Sequence, residues 1–288
     1  MVAWPTDYSG AWTLAGPVER DGVGLHSGAS ARVRLTSSER EGFWVGRLNQ
    51  PQRPLQRLAP DQVAQTQLCT ALKLDSGPLA TVEHLLAALA GTGITHAELW
   101  VDGDEIPLLD GSALGWVEAI GEAGLVSLGD RPDPGTLNQP ITVQQGQSFA
   151  TALPAASLQI GAAVEFVQPA IGRQVYSLAL TPSRFVADIA PARTFGFKDQ
   201  VEQLRAAGLI QGGALDNALV CDGDRWLNPP LRFSDEPVRH KLLDLLGDLA
   251  LAGLPRAQVF AYRGSHGLHT ALAAALVEAQ GTAAAPAI

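Results

Sequence analysis

What this chain of 288 residues lacks narrows its function first. It has two cysteines, Cys69 and Cys221, far apart and both in apolar surroundings. They read as small buried hydrophobes in a reducing compartment, and a structural zinc held by paired cysteines is not expected. No cluster of lysine and arginine occurs and the formal net charge is −9, so nucleic acid is not the main partner. A few local cations would still suffice for an anionic small substrate. No window reaches 18 uninterrupted apolar residues, which removes a membrane-spanning helix. The first ten residues, MVAWPTDYSG, have neither a basic start nor an apolar segment. No signal peptide is therefore expected, and the protein is placed in the cytoplasm. There is no internal repeat. Charged residues make up 17% and are spread out, and hydrophobic ones 46%. That composition suits a folded protein of two ordinary domains or one large one.

Local patterns organise the chain. Residues 11–35 read as two strands, the second alternating Ala31, Val33 and Leu35 inward with Arg32 and Arg34 outward. The intervening DGVGLHSG is a turn, because an alternating strand follows it where a phosphate-binding loop would need a helix. TVEHLLAALA (81–90) has the spacing of a buried helix, with Thr81 as N-cap and Gly91 as its stop. A strand, ITHAELWVDG, then precedes a loop leading into a second helix. The polar, Pro/Gly-rich stretch 128–140, LGDRPDPGTLNQP, is the candidate linker. After it come strands ITVQQG, SLQIGAAVEFV and YSLALTP, helices in VEQLRAAG and VRHKLLDLLGDLALAG, a strand AQVFAYRG, and a helix from Leu268 to about Gln280. Each half thus has strands and helices segregated in sequence, which predicts two α+β domains, 1–130 and 138–280, and a loose tail at 281–288.

The chemistry concentrates on LRFSDEPVRHKLLDLLGD (231–248). His240, Asp244 and Asp248 recur every four residues, so they share one helical stripe, with Lys241 beside it. A His and an Asp four apart often form no more than a local hydrogen-bonded pair. Here Leu242, Leu243, Leu245, Leu246 and Leu249 mark the helix as buried, and buried acids need strong partners. Glu83 and His84 open the other apolar helix about 100° apart, so one could bind a metal while the other reaches a water. The plainer alternative is a first-turn acid favoured by the helix dipole, beside an unremarkable histidine. His266 lies in a Gly-rich loop between strand and helix, where functional side chains are often presented. His26, His96 and His269 carry no such context. Two histidines and one aspartate leave a fourth tetrahedral position open, as in a catalytic zinc site. The same donors suit Fe(II), but a carboxylate at i+4 on a helix favours zinc.

Six motifs in order carry a resemblance. GVGLHSG (22–28), TVEHLLAALAG (81–91), VDGDEIPLLDGSA (101–113), ARTFGF (192–197), GLIQGGALDNALV (208–220) and the 231–249 helix resemble the UDP-3-O-acyl-N-acetylglucosamine deacetylase family. The match runs from about Trp12 to Gln280. It implies two similar α+β domains, each a sheet packed on helices, with the active site between them. It also implies a zinc amidase that commits a nucleotide-sugar lipid to lipid A synthesis, acting as a monomer with at most transient contact at a membrane surface.

The same resemblance makes His84, His240 and Asp244 the zinc ligands, Glu83 the general base and His266 the general acid. Asp248 would hold His266 charged, Thr194 would donate to the oxyanion, and Lys241 would sit by the substrate's carbonyl or diphosphate. Phe195 and Leu25 would line the substrate site. Val201, Leu204, Leu209 and Ile210, in an insert at about 197–215, would form an apolar passage for the acyl chain; periodicity alone would make these four ordinary core. Three departures stand out. Gly264-Ser265-His266-Gly267-Leu268-His269 replaces a usual Ser-Gly-His-Ala-Leu-Asn, Pro237 replaces an aromatic, and residues 1–10 precede the family's usual start. Two rivals remain. One is a zinc amidohydrolase for another N-acyl substrate, and the other is a module that binds a nucleotide sugar or lipid without turnover.

Overall fold

A computed structural model describes residues 2–131 and 137–283. The first half contributes β1 (Gly10–Leu14), β2 (Val18–Val23), β3 (Ser30–Ser37), β4 (Gly42–Arg47), β5 (Gln56–Arg57), β6 (Val63–Gln65), β7 (Ala71–Leu74), β8 (Gly77–Leu79), helix α1 (Glu83–Gly91), β9 (His96–Val101), α2 (Leu114–Ala123) and β10 (Leu125–Asp130). Alternation drives the pairing. Ala31, Val33 and Leu35 of β3 are buried while Arg32 and Arg34 face outward. The main sheet runs β10-β1-β9-β3-β2, with β4 also on β9 and β5 on β4, and a small sheet is β6-β7-β8.

The second half contributes β11 (Ile141–Gln145), β12 (Ser148–Pro154), β13 (Gln159–Glu165), β14 (Arg173–Ala179), a short α3 (Pro182–Arg184), β15 (Phe195–Phe197), α4 (Lys198–Ala206), β16 (Leu219–Asp222), β17 (Arg225–Trp226), α5 (Glu236–Leu249), β18 (Ala257–Tyr262) and α6 (His266–Ala283). Its five-stranded sheet is β11-β12-β18-β13-β14, and β15-β16-β17 form a separate three-stranded sheet. Strands and helices are both abundant and segregated, so the α+β expectation holds.

The two halves meet where α1 lies against α5. α1 is buried along its whole length, and the α5 leucines 242, 243, 245, 246 and 249 are fully buried. The helices approach so closely that a Cβ on Gly247 would collide with the Glu83 carbonyl. Residues before β1 strap this core. The Tyr8 hydroxyl donates to the Gly91 carbonyl at 2.9 Å, and Trp4 packs alongside.

Several expectations needed correction. Residues 11–35 hold parts of three strands, because Ala15–Pro17 interrupts the first run. Thr81 does not cap α1; Val82 occupies that position. Thr81 instead takes a left-handed φ of 56° and donates its hydroxyl to Glu105 at 2.9 Å, a conformation that a β-branched residue adopts only when its surroundings enforce it. Leu128–Asp130 belongs to β10, paired with β1, and not to a linker; residues 132–136 of that stretch lie outside the described residues. The last helix starts at His266 and runs through Ala283, so 281–283 are not a loose tail, and 284–288 lie outside the described residues.

Candidate metal centre and active site

The stripe on α5 and the start of α1 converge. His240 Nε2 lies 3.3 Å and His84 Nε2 3.7 Å from Asp244 Oδ1, and the two imidazoles stand edge to face with centroids 5.0 Å apart. All three residues are buried, and their donor atoms lie within 4.8 Å of one another. Donors bound tetrahedrally at about 2.0–2.1 Å sit roughly 3.3–3.4 Å apart, so this spacing fits a divalent ion. Asp244 Oδ1 is buried with no hydrogen-bond partner, which is costly unless a cation faces it. His240 Nδ1 meets the Ala192 carbonyl at 3.0 Å, leaving Nε2 as the free lone pair. Burial pushes His240 down and His84 down to about 3, so both imidazoles are neutral and available as ligands. Burial opposes ionisation of Asp244, but His240, then Lys241, His266 and His84, hold it well below the usual carboxylate range. Lys241 Nζ donates to its other oxygen at 2.8 Å. The residues fit a metal.

Glu83 and His266 flank this centre. Burial raises Glu83 to about 7, and His266 Nε2 lies 3.9 Å from Glu83 Oε1. For His266, burial favours the neutral ring, yet Asp248, by charge and hydrogen bond, and then Glu83 and Asp244 outweigh it and hold the imidazole at about 9. His266 Nδ1 meets Asp248 Oδ2 at 3.0 Å, so the third member of the stripe orients the His266 ring. Thr70 joins the pair, its N–H donating to Glu83 Oε2 at 3.1 Å and its hydroxyl to Asp248 Oδ1.

The approach is built by the segment that carries Thr194 and Phe195. Arg193 pairs with buried Glu236 at the start of α5 at 2.9 Å, and Thr194 N–H donates to the Gly111 carbonyl at 2.7 Å. Phe195 stands edge-on to His240 with centroids 6.4 Å apart, and Lys241 Nζ lies 5.6 Å from its ring. Leu25, Thr194, Phe195, Val201, Leu204 and Ile210 line one cavity of about 510 Å³. Leu209 is not part of that lining. No α4 residue is buried, so Val201 and Leu204 are cavity walls and not core, which corrects the reading by periodicity. A second cavity of about 440 Å³ lies beside it, lined by Lys241 and Arg263.

Three contributors escaped sequence reasoning. Glu105 accepts from the His26 and Ser27 N–H groups at 2.8 Å each and from Thr81, and so ties the Leu25 loop to the turn before Glu83. Only its place in the VDGDEIPLLDGSA motif marked it. Thr70 had no local signal. His269, taken as bland, is buried and meets Asp248 Oδ2 at 3.0 Å; its i+3 spacing from His266 was the available clue.

Comparison with known proteins follows the same geometry. The profile of the UDP-3-O-acyl N-acetylglycosamine deacetylase family matches residues 11–278. A protein of Trichormus variabilis named UDP-3-O-acyl-N-acetylglucosamine deacetylase is 47% identical over 268 residues, 91% of this chain and 96% of that one. One of the same name from Thermosynechococcus vestitus is 48% identical over 92% of this chain and 93% of its own. A relative in Arabidopsis thaliana named "Probable UDP-3-O-acyl-N-acetylglucosamine deacetylase 1, mitochondrial" is 40% identical over 91% of this chain and 86% of its own.

Proposed function

The chain belongs to the UDP-3-O-acyl N-acetylglycosamine deacetylase family, and from that premise we propose that it hydrolyses the N-acetyl group of UDP-3-O-acyl-N-acetylglucosamine. The products are acetate and the free amine, in the committed step of lipid A biosynthesis. The observation that carries this reading is the meeting of His84, His240 and Asp244 beside Glu83 and His266.

His84, His240 and Asp244 would hold zinc. When bound, zinc would acidify a water and polarise the amide carbonyl. Glu83, raised to about 7, takes a proton from the attacking water. Thr70 N–H occupies its Oε2 and leaves Oε1 toward the site. His266, held protonated by Asp248, gives its Nε2 proton to the departing amine as the C–N bond breaks. Thr194 would donate to the developing oxyanion. Phe195 and Leu25 would hold the sugar-lipid. Val201, Leu204 and Ile210 would surround the acyl chain, and Lys241 would meet the carbonyl or diphosphate.

Residues 1–130 and 138–280 would be the two domains, each supplying one side of the site. A monomer suffices, since one chain supplies every group named. The two free, buried cysteines support a cytoplasmic location, and among the described residues no helix is long and apolar enough to cross a membrane. The test is acetate release by the zinc-loaded protein from substrate with and without its 3-O-acyl chain. Turnover that depends on the acyl chain supports the reading. Turnover indifferent to it favours another N-acyl substrate, and binding without acetate release would overturn it.

A further inference from the structure

His269 is a buried titratable group that the reaction described above does not use. It lies one turn into α6, 1% exposed, and its Nδ1 meets Asp248 Oδ2 at 3.0 Å. His266 Nδ1 meets the same oxygen at the same distance. The two rings stand edge to face with centroids 6.3 Å apart. Asp248, with no exposure of its own, thus has one oxygen taken by the Thr70 hydroxyl and the other divided between two imidazoles.

The loop before α6 is shaped around this arrangement. A Cβ on Gly264 would collide with His269 Nε2. Ser265 accepts the Leu268 N–H with its hydroxyl at 3.3 Å, an N-cap contact that starts the helix. The Gly264-Ser265 order therefore belongs with His269: glycine leaves room for the ring, and serine caps the helix that carries it.

We propose that His269 is a positioning residue for the proton donor: by taking a share of Asp248 Oδ2 it limits how tightly Asp248 holds the His266 proton, so that His266 stays able to release it. This rests on the reading of His266 as general acid. A carboxylate oxygen with two donors is a weaker partner to each than one with a single donor. The other groups facing His266 are Glu83 and His84 from α1, His240 and Asp244 from α5, and His26 from the β2–β3 turn. None of these shares the Asp248 oxygen. Removing His269 frees Asp248 Oδ2 for His266 alone, and this raises the pKa of His266.

Titration of the His266 imidazole by NMR in the zinc-loaded protein tests this without reference to turnover. His269→Ala is expected to raise the His266 midpoint by about half a unit or more and to move the alkaline limb of kcat the same way. An unchanged or lowered midpoint overturns the inference. Because the alanine variant leaves a cavity, the Gly264 contact supplies a second arm. Gly264→Ser is expected to raise the His266 midpoint in the His269 background, by displacing the ring, and to leave it unmoved in the His269→Asn background. An equal shift in both backgrounds overturns the coupling. Should the midpoint shift as expected while kcat ignores it, His269 still tunes His266 through Asp248, but the assignment of His266 as acid falls, and with it the role of His269 toward a proton donor.

Discussion

Replacing Asp248 by asparagine removes the largest of the charges that keep His266 protonated. In the native protein this carboxylate is fully buried and accepts from Thr70, His266 and His269. Its negative charge holds His266 at about 9 although burial works in the opposite direction. Asparagine keeps the shape but offers one acceptor oxygen and an amino group, so at least one of the three donors faces another donor. Glu83 and Asp244 alone then oppose burial, and His266 falls to the ordinary imidazole value near 6.5. The protonated share at pH 8 drops from about nine-tenths to roughly three-hundredths, a loss of about 30-fold in kcat. At pH 6 the same arithmetic leaves a loss of less than about twofold. The assay is acetate release across this range, with zinc content measured on each sample. The defect should shrink steadily as pH falls. A loss of equal size at every pH would mean that Asp248 supports packing alone, and the reasoning from its charge would fail.

Further predictions concern the ligands, the base, the helix crossing and the cavity. His84→Ala and Asp244→Ala should each lose bound zinc in dialysed protein while keeping native helical content; full metal content in both would remove the ligand assignment. Glu83→Gln should retain zinc and lower kcat by about 10²–10⁴, and undiminished turnover would dismiss it as the base. Gly247→Ala drives a methyl into the Glu83 carbonyl and should cost about 1–3 kcal/mol, read as a lower Tm together with weaker zinc binding; an unaltered Tm would show that α1 and α5 tolerate separation. Leu204→Trp narrows the apolar cavity, so KM should rise for substrates with long acyl chains and not for short ones, whereas equal changes for both would place the chain elsewhere.

The local part of this protein was readable without coordinates. Periodicity of 3.6 puts His240, Asp244 and Asp248 on one face and surrounds them with leucine, and backbone geometry alone enforces that alignment. The alternation in β3 and the start of α1 at Glu83 belong to the same class of information. Where a local rule competed with a distant contact, it lost. Thr81 resembles an N-cap, yet Glu105 draws its hydroxyl away and the backbone goes left-handed. Val201 and Leu204 have core spacing, yet no element covers them, and they face a cavity.

By itself, then, the sequence determined which side chains share a helical face and which segments must be buried, because both follow from the rise and twist of the backbone and the cost of hydrating apolar surface. Only the tertiary structure decided that α1 would cross α5 at Gly247, bringing His84 to Asp244. It also decided that Thr70, 178 residues away, would share Asp248 with His266 and His269. Those meetings depend on how two sheets and their helices pack around a common core, and no short window of sequence encodes the distance between elements it does not contain.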